Sequence, residues 1–286
     1  VVQSRSKLDD VEPKAWVFVP HLANIRVYPV KSLDPSDVAQ ARVLASGALE
    51  HDRRLALVDH EGKFINSKRT PLTHELRSRW DPVSRRLTLT RTVGLRRPLE
   101  AFPFHDDVEF QVDAQRGELE AWLSAHFSLP ARLVEDAAQG FPDDLDAAGP
   151  TVISTGTLET IAGWYPGLSL EEVRRRFRAN LEIGDVEPFW EDRLYSVAGE
   201  TVLFRVGDVT FAGNNPCQRC VVPSRDTHSG EVWPAFNKQF TKLREATLPP
   251  WAERSRFNHF FRLSVNTKPA CDGGVIRVGD PIEVIG

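Results

Sequence analysis

Methionine is absent from the 286 residues and cysteine is scarce, with three in all. The missing methionine carries no functional implication. Three thiols do not build a disulfide framework, and so small and odd a number fits a reducing compartment where thiols stay available as ligands. No run approaches the roughly 18 apolar residues of a membrane-spanning helix, and the opening stretch Val1 to Asp10 is polar rather than a secretion signal. The expected location is the cytoplasm, with no membrane partner. Positive charge is not in excess either: a net charge of −4 gives no reason to expect nucleic acid as a partner. The glycine-rich dinucleotide fingerprint, the phosphate-loop lysine motif, the Gly-x-Ser-x-Gly elbow and the His-Glu-x-x-His pair are all missing, which disfavours the common cofactor folds.

What is present is a 41% hydrophobic chain long enough for one large domain or two ordinary ones. Short stretches rich in β-branched and aromatic residues predict strands at 15–20, 24–30, 41–44, 55–59, 63–66 and 87–90, with His60-Glu61-Gly62 as a hairpin turn. The segment 77–97 is basic and 106–146 acidic, an asymmetry that marks a solvated face or a surface that orients a charged redox partner. Leu119, Trp122, Leu123 and Phe127 fall on one face of a helix over 115–127. Acids, alanines, glycines and prolines over 136–150 read as a linker. Beyond it come a strand at 151–155, a helix over 156–164 and a second opened by the Ser169-x-x-Glu172 capping box. A strand at 181–183, a hairpin over 201–211 turning at Gly207-Asp208, and strands at 260–265 and within 275–284 complete the chain. This is a β-rich α+β pattern with a few helices.

The stretch Asn214 to Gly230 carries the most chemistry: Cys217 and Cys220 stand three apart behind Pro216, with Arg219 between them. A structural zinc needs four clustered ligands, and the third cysteine, Cys271, stands about fifty residues away. A thioredoxin-like dithiol opens a helix, which Val221-Val222-Pro223 disfavours. Ordinary burial is a fair reading of Cys217 and Cys271, and a poorer one of Cys220 beside Arg219. Three further signals are weak when taken singly. Lys31-Ser32 follows a strand and has the makings of a phosphate clamp, though most such pairs are solvated surface. Arg53 leads into a strand beside Asp52, its natural ion-pair partner. Arg178 and Asn180 sit at a helix end, where an arginine also serves the helix's own carbonyls.

Together these residues resemble the MOSC family with its N-terminal β-barrel domain, the group that contains the mitochondrial amidoxime-reducing component and its bacterial relatives. Val27-Tyr28-Pro29-Val30-Lys31-Ser32 matches the family's opening motif, and Gly47 through Asp52-Arg53-Arg54 its next. Arg178-x-Asn180 stands at its Arg-Pro-Asn element, Cys217-x-Arg219-Cys220 with Asp226 and Gly230 at its cysteine loop, and Val278-Gly279-Asp280-Pro281 at its last turn. The resemblance implies an N-terminal β-barrel-like domain over 15–140 and a MOSC β-barrel domain over 146–286. It implies a molybdenum cofactor, Mo-molybdopterin, with Cys220 as protein ligand to the metal, Cys217 in a supporting role, and Lys31, Ser32, Arg53, Arg178, Asn180, Gln218 and Arg219 holding the pterin and its phosphate. A soft thiolate suits this metal, and a neighbouring arginine favours the deprotonated form.

The implied activity is two-electron reduction of N-hydroxylated compounds such as amidoximes, hydroxylamines and N-hydroxylated bases. No ferredoxin-like cysteine cluster is present, so electrons are expected from a separate flavin, haem or iron–sulfur protein. A cofactor or sulfur carrier, and a pathway enzyme acting on one metabolite, are the alternatives. Ala179 and Pro223 depart from the family's usual proline and threonine, and Asp146 to Thr151 aligns only loosely with a cofactor-contacting stretch. His228 is a candidate proton donor, and His259 and Phe260 are candidates to face the cofactor.

Overall fold

Leu22, Ile25 and Val27 are buried along His21–Val27, which is therefore a strand within the core rather than at its surface. In the computed structural model the described residues are 19–92, 107–270 and 272–285. Most of the expected strand at 15–20, the end of the basic segment beyond 92, the first residue of the acidic one and Cys271 lie outside them. In chain order the strands are β1 (His21–Val27), β2 (Ser36–Val38), β3 (Gln40–Val43), β4 (Leu55–Val58), β5 (Leu76–Asp81), β6 (Arg86–Arg91), β7 (Val108–Gln111) and β8 (Arg132–Glu135). They continue as β9 (Val152–Ser154), β10 (Leu181–Gly184), β11 (Val202–Val206), β12 (Val209–Gln218), β13 (Arg262–Pro269), β14 (Gly274–Arg277) and β15 (Ile282–Val284). The α-helices among the described residues are α1 (Arg116–Phe127), α2 (Thr155–Trp164), α3 (Leu170–Phe177) and α4 (Phe236–Ala246).

The largest sheet runs β15-β11-β12-β13-β9-β10-β1-β2, so the first strands of the chain complete a sheet built by its second half. Strand β3 pairs with β14, a second tie between the two ends. Strands β4 and β8 form one small sheet and β5-β6-β7 another. No ladder closes the large sheet into a ring among the described residues. The turn before β15 nevertheless lies against the start of β1: His21 bridges Pro281, and Leu22 N–H donates to Asp280 O at 2.8 Å.

The expected 24–30 strand ends early because Pro29 has no N–H to continue a ladder. The 63–66 strand reduces to one bridge, Val58 to Phe64, and the 260–265 strand begins at Arg262 because Phe260 and Phe261 turn into separate cores. Ser169 caps α3 as its spacing predicts, accepting from Glu172 N–H at 3.2 Å. The Glu172 carboxylate turns instead to Arg176 at 3.1 Å and the Thr227 hydroxyl at 2.9 Å.

A polar network is buried where Trp190–Leu194, a single 3-10 turn, packs against β9 and α2. Glu191 accepts from Ser154 N–H at 3.2 Å and the Thr157 hydroxyl at 3.0 Å, while its other oxygen has no partner. Burial, reinforced by the charge of Asp192, pushes the Glu191 carboxyl up to about 7. A carboxyl raised on folding stabilises fully below its unfolded value and loses that contribution as pH rises through the folded one. Resistance to urea is therefore expected to fall between about pH 5 and pH 8, and Glu191→Gln to flatten that decline. An undiminished slope in the variant would place the dependence on another group.

Candidate functional site

Strand β12 carries the cysteines into place. Between Pro216 and Gln218 it advances two residues while β13 advances three, from Val265 to Arg262, with Ser264 in the left-handed region at φ 61°. Such a bulge re-aims side chains, and both Cys217 and Gln218 here line one cavity. Beyond them Arg219 N–H donates to Phe261 O at 3.0 Å. The loop then closes on Asp226, whose carboxylate accepts from His228 N–H at 3.0 Å and Ser229 N–H at 2.8 Å, and Gly230 N–H returns to Asp226 O at 2.9 Å. Asp226 and Gly230 thus build the turn.

Arg219 stands beside Cys220 in the chain, but its hydrogen bonds go elsewhere. Its guanidinium donates to Cys217 Sγ at 3.2 Å, to Ser264 Oγ at 3.4 Å and to Phe177 O. Arg219 therefore ties Cys217 to the end of α3. Cys220 is half-buried, a free thiol, and makes no hydrogen bond to another described residue.

The opposite wall comes from the first half of the chain. Lys31, 6% exposed, donates to Phe141 O and to Asp143 Oδ1, each at 2.8 Å. Burial drives its pKa down, and Asp143 works against that shift. Asp52 accepts from Tyr28 N–H at 2.8 Å and Asn180 Nδ2 at 3.0 Å, and its second oxygen pairs with Arg53. The local ion pair expected of Arg53 is thus present. Tyr28 has guanidiniums over its ring from Arg53 at 5.2 Å and Arg178 at 4.1 Å. Burial lowers the pKa of Arg178, and Arg178 also donates to Leu33 O at 2.8 Å. Asn180 uses its amide on Arg26 O, Asp52 and Thr151, which makes it a joint between β1 and β9 as well as a wall residue. Ser32, Arg53 and Arg178 all lie in the left-handed region, at φ 72°, 48° and 52°. Strain of this kind, costing about 1–3 kcal/mol per residue, gathers where a site over-determines its backbone.

The segment expected as a linker, 136–150, is a strap across the cavity. Phe141 N–H donates to Arg53 O at 2.9 Å and Gly149 N–H to Thr267 O at 3.0 Å. Two of its residues must be glycine. Gly140 has φ +69° with Asp52 O 2.7 Å from where a Cβ would stand, and at Gly149 a Cβ would lie 2.4 Å from Thr267 Oγ1. Between these anchors Asp143 reaches Lys31, and Asp144 accepts from Asn266 Nδ2 at 3.1 Å.

These walls enclose a cavity of about 620 Å³ that Lys31, Ser32, Arg53, Arg178, Asn180, Gln218, Arg219 and Cys220 all line. Cys217 and the 147–149 and Thr151 positions join them, whereas His228, His259 and Phe260 do not. Phe260 is buried instead, stacked on Phe257 at 5.3 Å, and His259 Nδ1 accepts from Phe261 N–H at 3.2 Å. Sequence reasoning missed Ser67, Lys68, Arg176, Asn215, Arg262 and Asn266. One signal was available, because Ser67-Lys68 repeats the hydroxyl and ammonium of Lys31-Ser32, and Ser67 N–H donates to Ser32 Oγ at 3.3 Å.

Seven Lys and Arg side chains face three aspartates around the cavity, although the chain as a whole carries −4. The Nε atoms of Arg176, Arg219 and Arg262 are buried there with no partner. An excess of cationic side chains around a volume suited to one organic ligand fits an anionic, phosphorylated ligand. No cluster of three or more His, Cys, Asp or Glu that would hold a metal ion unaided exists among the described residues. A metal here would need ligands that arrive with it.

Comparison with known proteins agrees with this chemistry. Residues 19–142 match the MOSC N-terminal beta barrel domain, and residues 152–283 the MOSC domain. Two curated relatives are molybdenum cofactor sulfurases. That of Homo sapiens is 23% identical over 271 residues, 80% of this chain and 29% of that protein. That of Drosophila mojavensis is 23% identical over 267 residues, 83% of this chain and 32% of that protein. The chain spans about a third of the length of these relatives. Among solved structures, the YUAD protein of Bacillus subtilis aligns over 93% of this chain and 95% of its own at 11% identity, with a TM-score of 0.36. No described helix is long and apolar enough to cross a membrane.

Proposed function

The chain belongs to the MOSC family, with a function related to the molybdenum cofactor, and from that premise we propose that it is a molybdenum-cofactor-dependent oxidoreductase of N-hydroxylated compounds. The observation that carries the reading is a half-buried thiol, Cys220, on a cavity whose walls also hold seven Lys and Arg side chains. The reaction cleaves an N–O bond with two electrons and two protons, turning an amidoxime into an amidine and water. Bound in the cavity, the cofactor would supply the two-electron redox chemistry of the reaction. The chain's own residues hold and orient it. Cys220 would bind the metal, while Lys31, Ser32, Arg53, Arg178 and Arg219, which line the same cavity, would surround the phosphate and pterin with charge-assisted donors. Asn180 keeps the walls in register through Asp52 and Thr151, and Gln218 lines the cavity beside Arg219. Electrons come from a separate flavin, haem or iron–sulfur protein, in the cytoplasm.

Protein purified from a host that makes the cofactor is expected to hold about one molybdenum per chain and to reduce simple amidoximes with a reduced dye as donor. Absence of molybdenum would sink the proposal. A second reading, a sulfur or cofactor carrier, is favoured by the names of the curated relatives and by Cys217 and Cys220 sharing one cavity. Cofactor or persulfide bound without reductase turnover would select it.

A further inference from the structure

The strap places a carboxylate where the proposed ligand's anion belongs. Asp143 Oδ1 lies 2.8 Å from Lys31 Nζ and 3.5 Å from Lys68 Nζ. Although burial opposes it, the charges of Lys31, Arg53 and Lys68 hold the Asp143 carboxyl well below the usual range, so it is an anion at neutral pH. Of the three cavity carboxylates it is the one spent on these lysines. Asp52 is committed to Tyr28, Asn180 and Arg53, and Asp144 to Asn266 and to Asp146 N–H at 3.0 Å.

We propose that Asp143 is a built-in competitor for the cavity's anion site, a carboxylate that occupies Lys31 and Lys68 until a phosphate monoester displaces it. The proposal rests on the reading that this cavity takes a phosphorylated cofactor, and adds Lys68 and Asp143 to the residues that set its affinity. Two anions competing for the same ammonium groups repel one another, so phosphate and the Asp143 carboxylate exclude one another on Lys31 and Lys68. The strap is built for the exchange. Its backbone is fixed at Phe141 and Gly149, whereas Asp143 is held by its side chain alone and is 56% exposed, with an open path to solvent. Leu145, two residues on, is 77% exposed and adds no packing at the tip of the strap, which is otherwise held by Asp144 on Asn266 and by the buried Ala147. Binding then exchanges one ion pair for another, and the free protein leaves no bare lysine in the cavity.

The test is calorimetric titration of the cofactor-free full chain with inorganic phosphate and pyrophosphate at low ionic strength, for wild type, Asp143→Asn and Asp144→Asn. Asp143→Asn is expected to bind about tenfold more tightly than wild type, and Asp144→Asn to change little, because it removes the same charge from the same strap without releasing Lys31. Lys68→Gln is expected to bind several-fold more weakly than wild type. Should Asp143→Asn fold poorly, Asp143→Ala serves in its place. Equal or weaker binding after loss of Asp143, or an equal gain from Asp144→Asn, would overturn the proposal. So would the absence of anion binding in all variants. None of these readings uses molybdenum, so the competitor and the enzyme assignment stand or fall separately.

Discussion

Cys220→Ser is expected to remove reductase turnover by about a thousandfold or more while leaving the melting temperature within a degree or two of wild type. The two halves of that expectation have separate origins. Oxygen is a harder and more basic donor than sulfur, so a serine at the cysteine's place is a poor partner for a metal held in a sulfur-rich sphere. The Cys220 thiol makes no hydrogen bond to a described residue and is only half-buried, so little stability is lost with it. Cys217→Ser should behave differently. It disturbs the guanidinium–sulfur bond at 3.2 Å and with it the tie from Arg219 to α3, lowering turnover moderately while keeping molybdenum. Metal content, steady-state rates and melting curves on both variants check this. A Cys220→Ser enzyme with wild-type turnover would end its assignment as the ligand.

Arg244→Ala should destabilise by about 3–5 kcal/mol, a drop of roughly 10 °C in melting temperature. Arg244 is 1% exposed and pairs with Asp192, itself 3% exposed. Two of its nitrogens lack hydrogen-bond partners, yet the guanidinium lies over Phe189 at 4.4 Å and Phe257 at 5.2 Å, which supplies attraction from the ring faces. Without it the Asp192 carboxylate is stranded in the core between β13 and α4. Burial already raises the Asp192 pKa against the pull of Arg244. The variant's deficit should therefore shrink as pH falls and Asp192 takes a proton, since that protonation costs less than burying a bare charge. The pair Asp192→Asn with Arg244→Met should recover most of the loss. Full wild-type stability in Arg244→Ala would mean that water reaches Asp192.

How much of this was legible in the sequence depended on how local each signal was. Helix α3 announced itself through Ser169, and the β11–β12 hairpin through Gly207-Asp208, because cap and turn chemistry reside in adjacent residues. Eight cavity residues were visible as short motifs, and the family resemblance alone drew them to one ligand. The physical route to that convergence was not legible, because it is set by pairing between distant strands: the β1–β10 register puts Ile25 opposite Leu181, and this carries Tyr28 to Arg178. The strap lies where the two family matches meet, but its bonds to the cavity walls were not legible for a related reason. Acids, alanines and glycines rule out regular structure, but say nothing about non-local bonds such as those to Arg53 and Thr267. Arg219 shows the limit of adjacency, since one residue's separation from Cys220 left its side chain free to choose Cys217.

The interlocking of β1 with β10 and of β3 with β14 also governs the order of events during synthesis. When β1 leaves the ribosome β2 follows at once, but its other partner, β10, is more than a hundred residues from being made, and Leu22, Ile25 and Val27 lack that side of their core until it appears. Lys31 and Arg53 likewise wait for Arg178 and Cys220. A half-made or truncated chain therefore has neither its main sheet nor a place for an anion, and ligand retention on the folded protein certifies that both halves have been translated and joined.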